Sequence, residues 1–145
     1  MKVSDVLVTR GLITIAHDAS MAEAAKVLKD ARIRHLPVTR DNTIVGIISD
    51  RDIQRASTLV TGGNGSTIQE YKKVYEYMTS PVNKMNTNDS VAHLTREMIR
   101  MKISSFIIED EKGTPVGIIT TEDLLLLLLD KIDDKPNPFR KLFGR

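Results

Sequence analysis

An internal duplication constrains this chain more than any other feature. Val45-Gly46-Ile47-Ile48-Ser49-Asp50-Arg51-Asp52-Ile53 returns as Val116-Gly117-Ile118-Ile119-Thr120-Thr121-Glu122-Asp123-Leu124, 71 positions later. The same offset links Val3-Ser4-Asp5-Val6-Leu7 to Val74-Tyr75-Glu76-Tyr77-Met78. Ser20, Leu28 and Ile33 answer Ser90, Met98 and Ile103 at an offset of 70, a one-residue slip of the kind loops absorb. A self-similar period marks repeated supersecondary units, each too small to bury a sufficient core alone. The repeat divides the chain into a first unit over 1–60, a linker over 61–71 rich in glycine, a second unit over 72–132 and a basic tail over 133–145. The linker stretch Thr61-Gly62-Gly63-Asn64-Gly65-Ser66 is expected to be flexible.

Within the first repeat, Leu12–Ile15 suits a short strand, and Ser20-Met21-Ala22-Glu23 spells a capping box. The helix it opens places Met21, Ala24, Ala25 and Leu28 on one face. Leu36–Thr39 and Ile44–Ile48 read as strands around a turn at Arg40-Asp41-Asn42-Thr43, and a second helix starts at Ser49. The second repeat follows suit: a strand at Val82–Met85, a helix with Val91, Leu94 and Met98 on one face, strands at Phe106–Ile108 and Val116–Ile119, then the leucine helix. The order is β-α-β-β-α twice, an α+β fold. Two three-stranded units packed sheet to sheet about a pseudo-twofold axis bury what neither buries alone.

Several function classes are excluded at this level. With 21 Lys and Arg against 19 Asp and Glu, bulk charge argues against nucleic acid as a partner. The three Tyr and three Phe form no stacking platform. The absence of cysteine removes disulfides, thiolate metal sites and cysteine nucleophiles, and fits a reducing compartment. Leu124–Leu129 falls far short of the roughly 20 apolar residues of a membrane span, so a cytoplasmic protein with no membrane partner is expected. His17, His35 and His93 show neither metal-ligand nor triad spacing, and no serine sits in a nucleophile elbow. No catalytic residue, metal ligand or catalytic cofactor is therefore assigned.

The duplicated corner carries the chemistry that remains. A hydroxyl N-cap after a strand exposes first-turn N–H groups, a natural seat for an anion. An Asp three residues on can accept hydrogen bonds from a vicinal diol. The competing reading is that Ser49/Asp52 and Thr120/Asp123 merely cap their own helices. Arg32, Arg34, His35 and Arg51 cluster near the first corner and could neutralise a polyphosphate. The second corner has Lys102, Ser104, Ser105 and Glu122 at the matching positions, and Ile107 where the first repeat has Pro37.

The ordered set His35-Leu36-Pro37-Val38 and Gly46-Ile47-Ile48-Ser49-Asp50-Arg51-Asp52, inside tandem β-α-β-β-α units, resembles a pair of cystathionine-β-synthase-type (CBS) domains, a Bateman module. The resemblance covers nearly the whole chain except linker and tail. It implies a non-catalytic sensor that holds an adenine nucleotide (AMP, ADP or ATP) as regulatory ligand in the cleft between repeats and passes a conformational change to an unidentified effector protein. It implies further that Asp52 and Asp123 meet ribose hydroxyls, and Ser49 and Thr120 the phosphate end, with Arg51 nearby. Leu12, Ile13 and Thr14, with Ile33, Arg34, His35, Leu36 and Pro37, would line the base pocket of the first repeat; Ile103, Ser105 and Phe106 would do so in the second. Family modules pair through helices of both repeats into homodimers, and the surplus leucines of 124–129 agree. Two alternatives remain open: a ligand-independent assembly module, or the same sensor reading another adenosyl ligand such as S-adenosylmethionine. The tail from Phe139 to Arg145, basic with interleaved apolar residues, is either a loose terminus or a docking segment.

Overall fold

The structure, a computed structural model, describes residues 1–8, 11–58 and 72–133. The expected linker over 61–71 and the tail beyond Asp133 lie outside the described residues.

Two β-α-β-β-α motifs are present, as the repeat predicts. The first comprises β1 (Ile15–Ala16), α1 (Met21–Ala31), β2 (His35–Arg40), β3 (Thr43–Ser49) and α2 (Asp50–Thr58). After the short α3 (Val74–Tyr77) the second comprises β4 (Lys84–Asn86), α4 (Val91–Met101), β5 (Ser105–Glu109), β6 (Pro115–Thr120) and α5 (Thr121–Ile132). Each motif forms a three-stranded sheet, ordered β1-β2-β3 and β4-β5-β6. In each, the first strand runs parallel and the third antiparallel to the middle one.

Local chemistry accounts for the element ends. Ser20 caps α1: its hydroxyl accepts from the Glu23 N–H at 3.1 Å, and the Glu23 carboxylate accepts from the Ser20 N–H at 2.7 Å. The hairpin between β2 and β3 turns on Asp41 and Asn42, at φ of 50° and 60°, which these side chains tolerate better than most. Both opening strands lie later than expected, at Ile15–Ala16 and Lys84–Asn86. An apolar run marks where a strand can form, whereas its extent depends on where the partner offers hydrogen bonds.

The chain divides into two compact units that differ from the sequence repeats in one respect. One joins Met1–Leu12 to the chain from Asn83 onward, and the other spans Ile13–Val82. We call them the Asp123 unit and the Asp52 unit. In the Asp123 unit the opening segment docks on the 87–91 turn, with the Val3 N–H donating to Asp89 O at 2.8 Å and the Ser4 N–H to Thr87 O at 2.9 Å. In the Asp52 unit the 72–75 segment does the same, with the Met21 N–H donating to Lys72 O at 2.8 Å and the Val74 N–H to Ala19 O at 2.9 Å. Lys72 is buried there, and its ammonium donates to the Ala56 carbonyl at the end of α2, 2.6 Å away.

Each unit has its own core. Met21, Ala24 and Leu28 of α1 pack with Leu36, Val38 and Ile48 in the Asp52 unit. Val91, Leu94 and Met98 of α4 pack with Phe106, Ile108 and Ile119 in the Asp123 unit. These are the helical stripes expected, except that Ala25 is only half-buried. Of the leucine run only Leu126 is buried, and Leu125 and Leu128 remain 59% and 53% exposed.

Candidate functional site

The sharp change from β3 to α2 places Ser49 at the last strand position and Asp52 in the first helical turn. Asp52 Oδ2 accepts from the Ser49 N–H at 2.8 Å and from the Ser49 hydroxyl at 2.9 Å. Its other oxygen, Oδ1, accepts from Arg55 Nη1 at 3.1 Å. In the other unit Asp123 Oδ2 accepts from the Thr120 N–H at 2.8 Å and its hydroxyl at 3.0 Å. Both carboxylates therefore cap their helices, so the two readings of the corner converge on the same atoms. Asp52 is buried and Asp123 half-buried.

The corners differ in their charged neighbours. Beside Asp52, Arg34 Nε donates to Asp50 Oδ2 at 3.2 Å, and the Asp50 N–H donates to the Arg34 carbonyl at 3.2 Å, which ties the β2 approach to the start of α2. Arg51 is exposed on the same turn. Three guanidinium groups thus accompany two carboxylates. At the positions of Arg34, Arg51 and Arg55 the Asp123 unit has Ser104, Glu122 and the buried Leu126. A phosphate meets a cationic environment in the first case and Glu122 in the second. Arg55 and Asp50 were not singled out in the sequence, although Arg55 stands three residues after Asp52, the spacing that brings helical side chains together. Arg32 is exposed, at the C-cap of α1 with φ of 53°.

The residues expected to line a base pocket divide by depth. Ile13 and Thr14 are exposed, Leu12, Ile33 and His35 half-buried, and Arg34 exposed. Leu36 and Pro37 are fully buried, so their side chains belong to the core and only their backbone is left for other contacts. In the Asp123 unit Ile103 is half-buried, and Ser105 and Phe106 are buried.

Pro37 requires a correction. A proline cannot donate to a ladder and so favours strand edges, but β2 is the central strand, with Pro37 opposite Ile47 of β3. A proline is tolerated there because β1 pairs with β2 only at Val38 and Thr39. In the other sheet the matching residue, Ile107, donates its N–H to the Asn83 carbonyl at 2.9 Å, and β4 is one residue longer than β1. Pro37, which has no N–H, cannot make the corresponding bond to Ile13.

Burial lowers the pKa of the His35 imidazole below its ordinary 6.5, with Asp50 opposing this and Arg34 reinforcing it. A lowered value means that below pH 6.5 the unfolded chain takes up a proton more readily than the native one, so His35 favours the fold above that pH and less as pH falls. The thermal midpoint of the wild type is expected to fall further than that of His35→Gln between about pH 7.5 and about pH 5.5. Parallel slopes in a thermal-melt series would exclude this contribution.

Among the described residues no group of three or more His, Cys, Asp or Glu is placed to hold a metal ion, and no helix is long and apolar enough to cross a membrane.

Comparison with known proteins sets this geometry in a family. The family model described as CBS domain matches residues 3–58 and 74–130. A solved CBS domain pair, that of protein MJ0100 in complex with 5′-methylthioadenosine and S-adenosyl-L-methionine, has 32% identity and a TM-score of 0.74, covering 90% of this chain and 98% of its own. A homoserine O-acetyltransferase of Methanococcoides burtonii is 32% identical over 127 residues, 87% of this chain but 24% of the relative. The chain spans about a quarter of the length of the enzyme relatives of this kind. A CBS domain-containing protein of Dictyostelium discoideum is 28% identical over 135 residues, 90% of this chain and 93% of that protein. With two matched domains and two sheets of the expected topology, the chain belongs to the CBS domain family and forms a tandem CBS pair, a Bateman module.

Proposed function

We propose that the protein is a non-catalytic regulatory module that binds an adenine nucleotide at the Asp52 corner and passes a conformational change to a partner protein. The observation that carries this reading is the cation-rich surround of one repeated corner, Arg34, Arg51 and Arg55 about Ser49 and Asp52, within a fold whose 32% identical relative holds adenosyl ligands. Asp52 meets the ribose hydroxyls, while Ser49 and the α2 N-terminus face the phosphate, whose charge the guanidinium groups offset. Ile13, Thr14 and Ile33 contribute the exposed or half-buried lining for the base. AMP, ADP and ATP share these groups and differ only in phosphate length. An adenosyl ligand carrying a sulfonium cation suits this corner less, because its charge opposes the arginines.

Calorimetry tests the reading directly. Asp52→Ala is expected to weaken AMP or ATP binding about tenfold or more, the worth of hydrogen bonds to a charged group. Asp123→Ala removes an equivalent helix cap yet leaves that binding in place, so cap loss and ligand loss are separated. No heat from the wild type with any of the three nucleotides would leave the second reading, a ligand-independent assembly module. That reading draws on the capping bonds already made by both carboxylates.

A homodimer through the helices belongs to the same proposal. Between α4 and α5 lies an apolar groove of about 620 Å³, lined by Val91, Met98, Ile99, Leu124 and Leu128 among others. Ile99 and Ile132 are 73% and 71% exposed on these helices. Apolar surface gathered in this way is what interfaces bury. Leu128→Glu is expected to shift the mass measured by light scattering from dimer to monomer; a wild type already monomeric at high concentration would refute the dimer.

A further inference from the structure

The groove between α4 and α5 and the sequence that follows α5 match in chemistry. Leu125, Leu128 and Ile132 follow one another at i, i+3 and i+7, and each is more than half exposed, so one face of α5 is an uncovered apolar stripe. Ile99 of α4 stands on the other side of the groove, also more than half exposed. Beyond Asp133 the sequence places Phe139, Leu142 and Phe143 at i, i+3 and i+4, with Arg140, Lys141 and Arg145 among and after them. Apolar anchors at that spacing with a polar flank are what an apolar groove between helices recognises. Charge points the same way. Thr121–Asp133 carries Glu122, Asp123, Asp130 and Asp133 against Lys131 alone, whereas Arg96 and Arg100 stand exposed on α4, so the basic residues of 139–145 are drawn to the α5 rim. Reach permits the contact. The helix stops at Ile132, with Asp133 extended at ψ of 120°, and Pro136 and Pro138 disfavour its resumption. Residues 134–138 span at most about 17 Å, more than the width of a helix at about 10 Å. Residues 139–145 then cover between about 10 Å and about 23 Å, against about 18 Å for the length of α5.

We propose that residues 139–145 are an autoinhibitory segment: Phe139, Leu142 and Phe143 dock in the α4–α5 groove of their own chain and must leave it before a second copy can pair there. The docking stands by itself, while the inhibition rests on the dimer reading above. The chain's own groove is favoured over that of another copy because a five-residue tether holds the segment at an effective concentration on the order of millimolar. A segment docked for about nine-tenths of the time leaves one chain in ten open, which weakens pairing by about tenfold or more.

The chain has no cysteine, so Gly144→Cys gives a single site for a nitroxide spin label in the full chain. With ¹³C at leucine methyls, the label is expected to broaden the signal of Leu124, which lines the groove two turns of α5 before Ile132. Adding Phe139→Ser, Leu142→Ser and Phe143→Ser together should restore that signal. Mixing spin-labelled protein with separate ¹³C-labelled chains should leave it sharp, which assigns the contact to one chain. By light scattering, the triple variant is expected to pair about tenfold more tightly than the wild type, or more so. A Leu124 signal broadened equally with and without the three substitutions, or broadened only in the mixture, overturns docking on the chain's own groove and leaves the dimer reading standing. A triple variant that pairs no more tightly than a wild type that does pair overturns the inhibition. Wild type and triple variant both monomeric at high concentration refute the dimer reading and the inhibition with it, while the Leu124 signal still decides the docking.

Discussion

Leu36→Ala lowers the stability of the protein by about 3 kcal/mol, measured as a shift of the urea midpoint at unchanged slope. Leu36 has no solvent exposure and packs in the core of the Asp52 unit with Ile15, Met21, Leu28 and Ile48. Its truncation removes buried methyl groups and leaves a void between sheet and α1 that the paired backbone on both sides cannot fill. Leu36 pairs with Ile48 across β2 and β3, which holds the strand in place around the cavity. The variant also tests the division of roles along this segment. Once the protein is folded, nucleotide affinity should change far less than in Asp52→Ala, because the Leu36 side chain faces the core. A variant of wild-type stability with lost binding would place Leu36 in the pocket lining and contradict that division.

Gly46→Ala is expected to cost about 2 kcal/mol, and Gly117→Ala clearly less, in the same denaturation assay. A Cβ on Gly46 would stand 2.5 Å from Met78 Sδ, 2.9 Å from Met78 Cγ and 3.1 Å from the Thr79 carbonyl oxygen. That backbone cannot withdraw freely. The Ile47 N–H donates to Thr79 O at 3.0 Å and the Thr79 N–H to Ile47 O at 2.9 Å, while the Ser80 hydroxyl donates to Val45 O at 2.7 Å. The segment after α3 is therefore pinned against β3 on both sides of the glycine. A Cβ on Gly117 meets only the Leu7 side chain, at 2.7 Å from Cδ1, and a terminal methyl can turn aside. Equal costs at the two glycines would show that Met78 gives way as easily as Leu7.

The pair of glycines shows how the sequence and the structure share the account. Both stand in the repeated Val-Gly-Ile-Ile motif and look identical in sequence. What presses on them comes from Met78 and Thr79 in the case of Gly46, and from Leu7 near the chain start in the case of Gly117, and neither approach has a local signal. The helices were legible for the opposite reason. The Ser20/Glu23 box and the apolar spacing of Met21, Ala24 and Leu28, or Val91, Leu94 and Met98, act within a turn or two of chain, so period and cap chemistry identify them. The corner at Ser49 and Asp52 was legible for the same reason, because both of its readings rest on atoms three residues apart.

Strand extent was not legible to the same degree. Leu12–Ile15 is apolar, yet only Ile15 of that run joins the strand, because parallel pairing depends on which donors β2 presents. A proline has no N–H for a ladder, which by local chemistry alone suits a strand edge. The place of Pro37 in the middle strand follows from pairing order, which is a tertiary property.

By itself, the sequence determined the duplication, the β-α-β-β-α order, the capped corners and the family, since each is written in residues close together or in a repeat that can be aligned with itself. Only the tertiary structure decided which opening segment completes which unit, that Arg55 turns onto Asp52 and that β4 pairs from Lys84 opposite Ile107 while β1 pairs from Ile15 opposite Val38. Those outcomes depend on hydrogen bonds and packing between residues far apart in the chain, which no local pattern records.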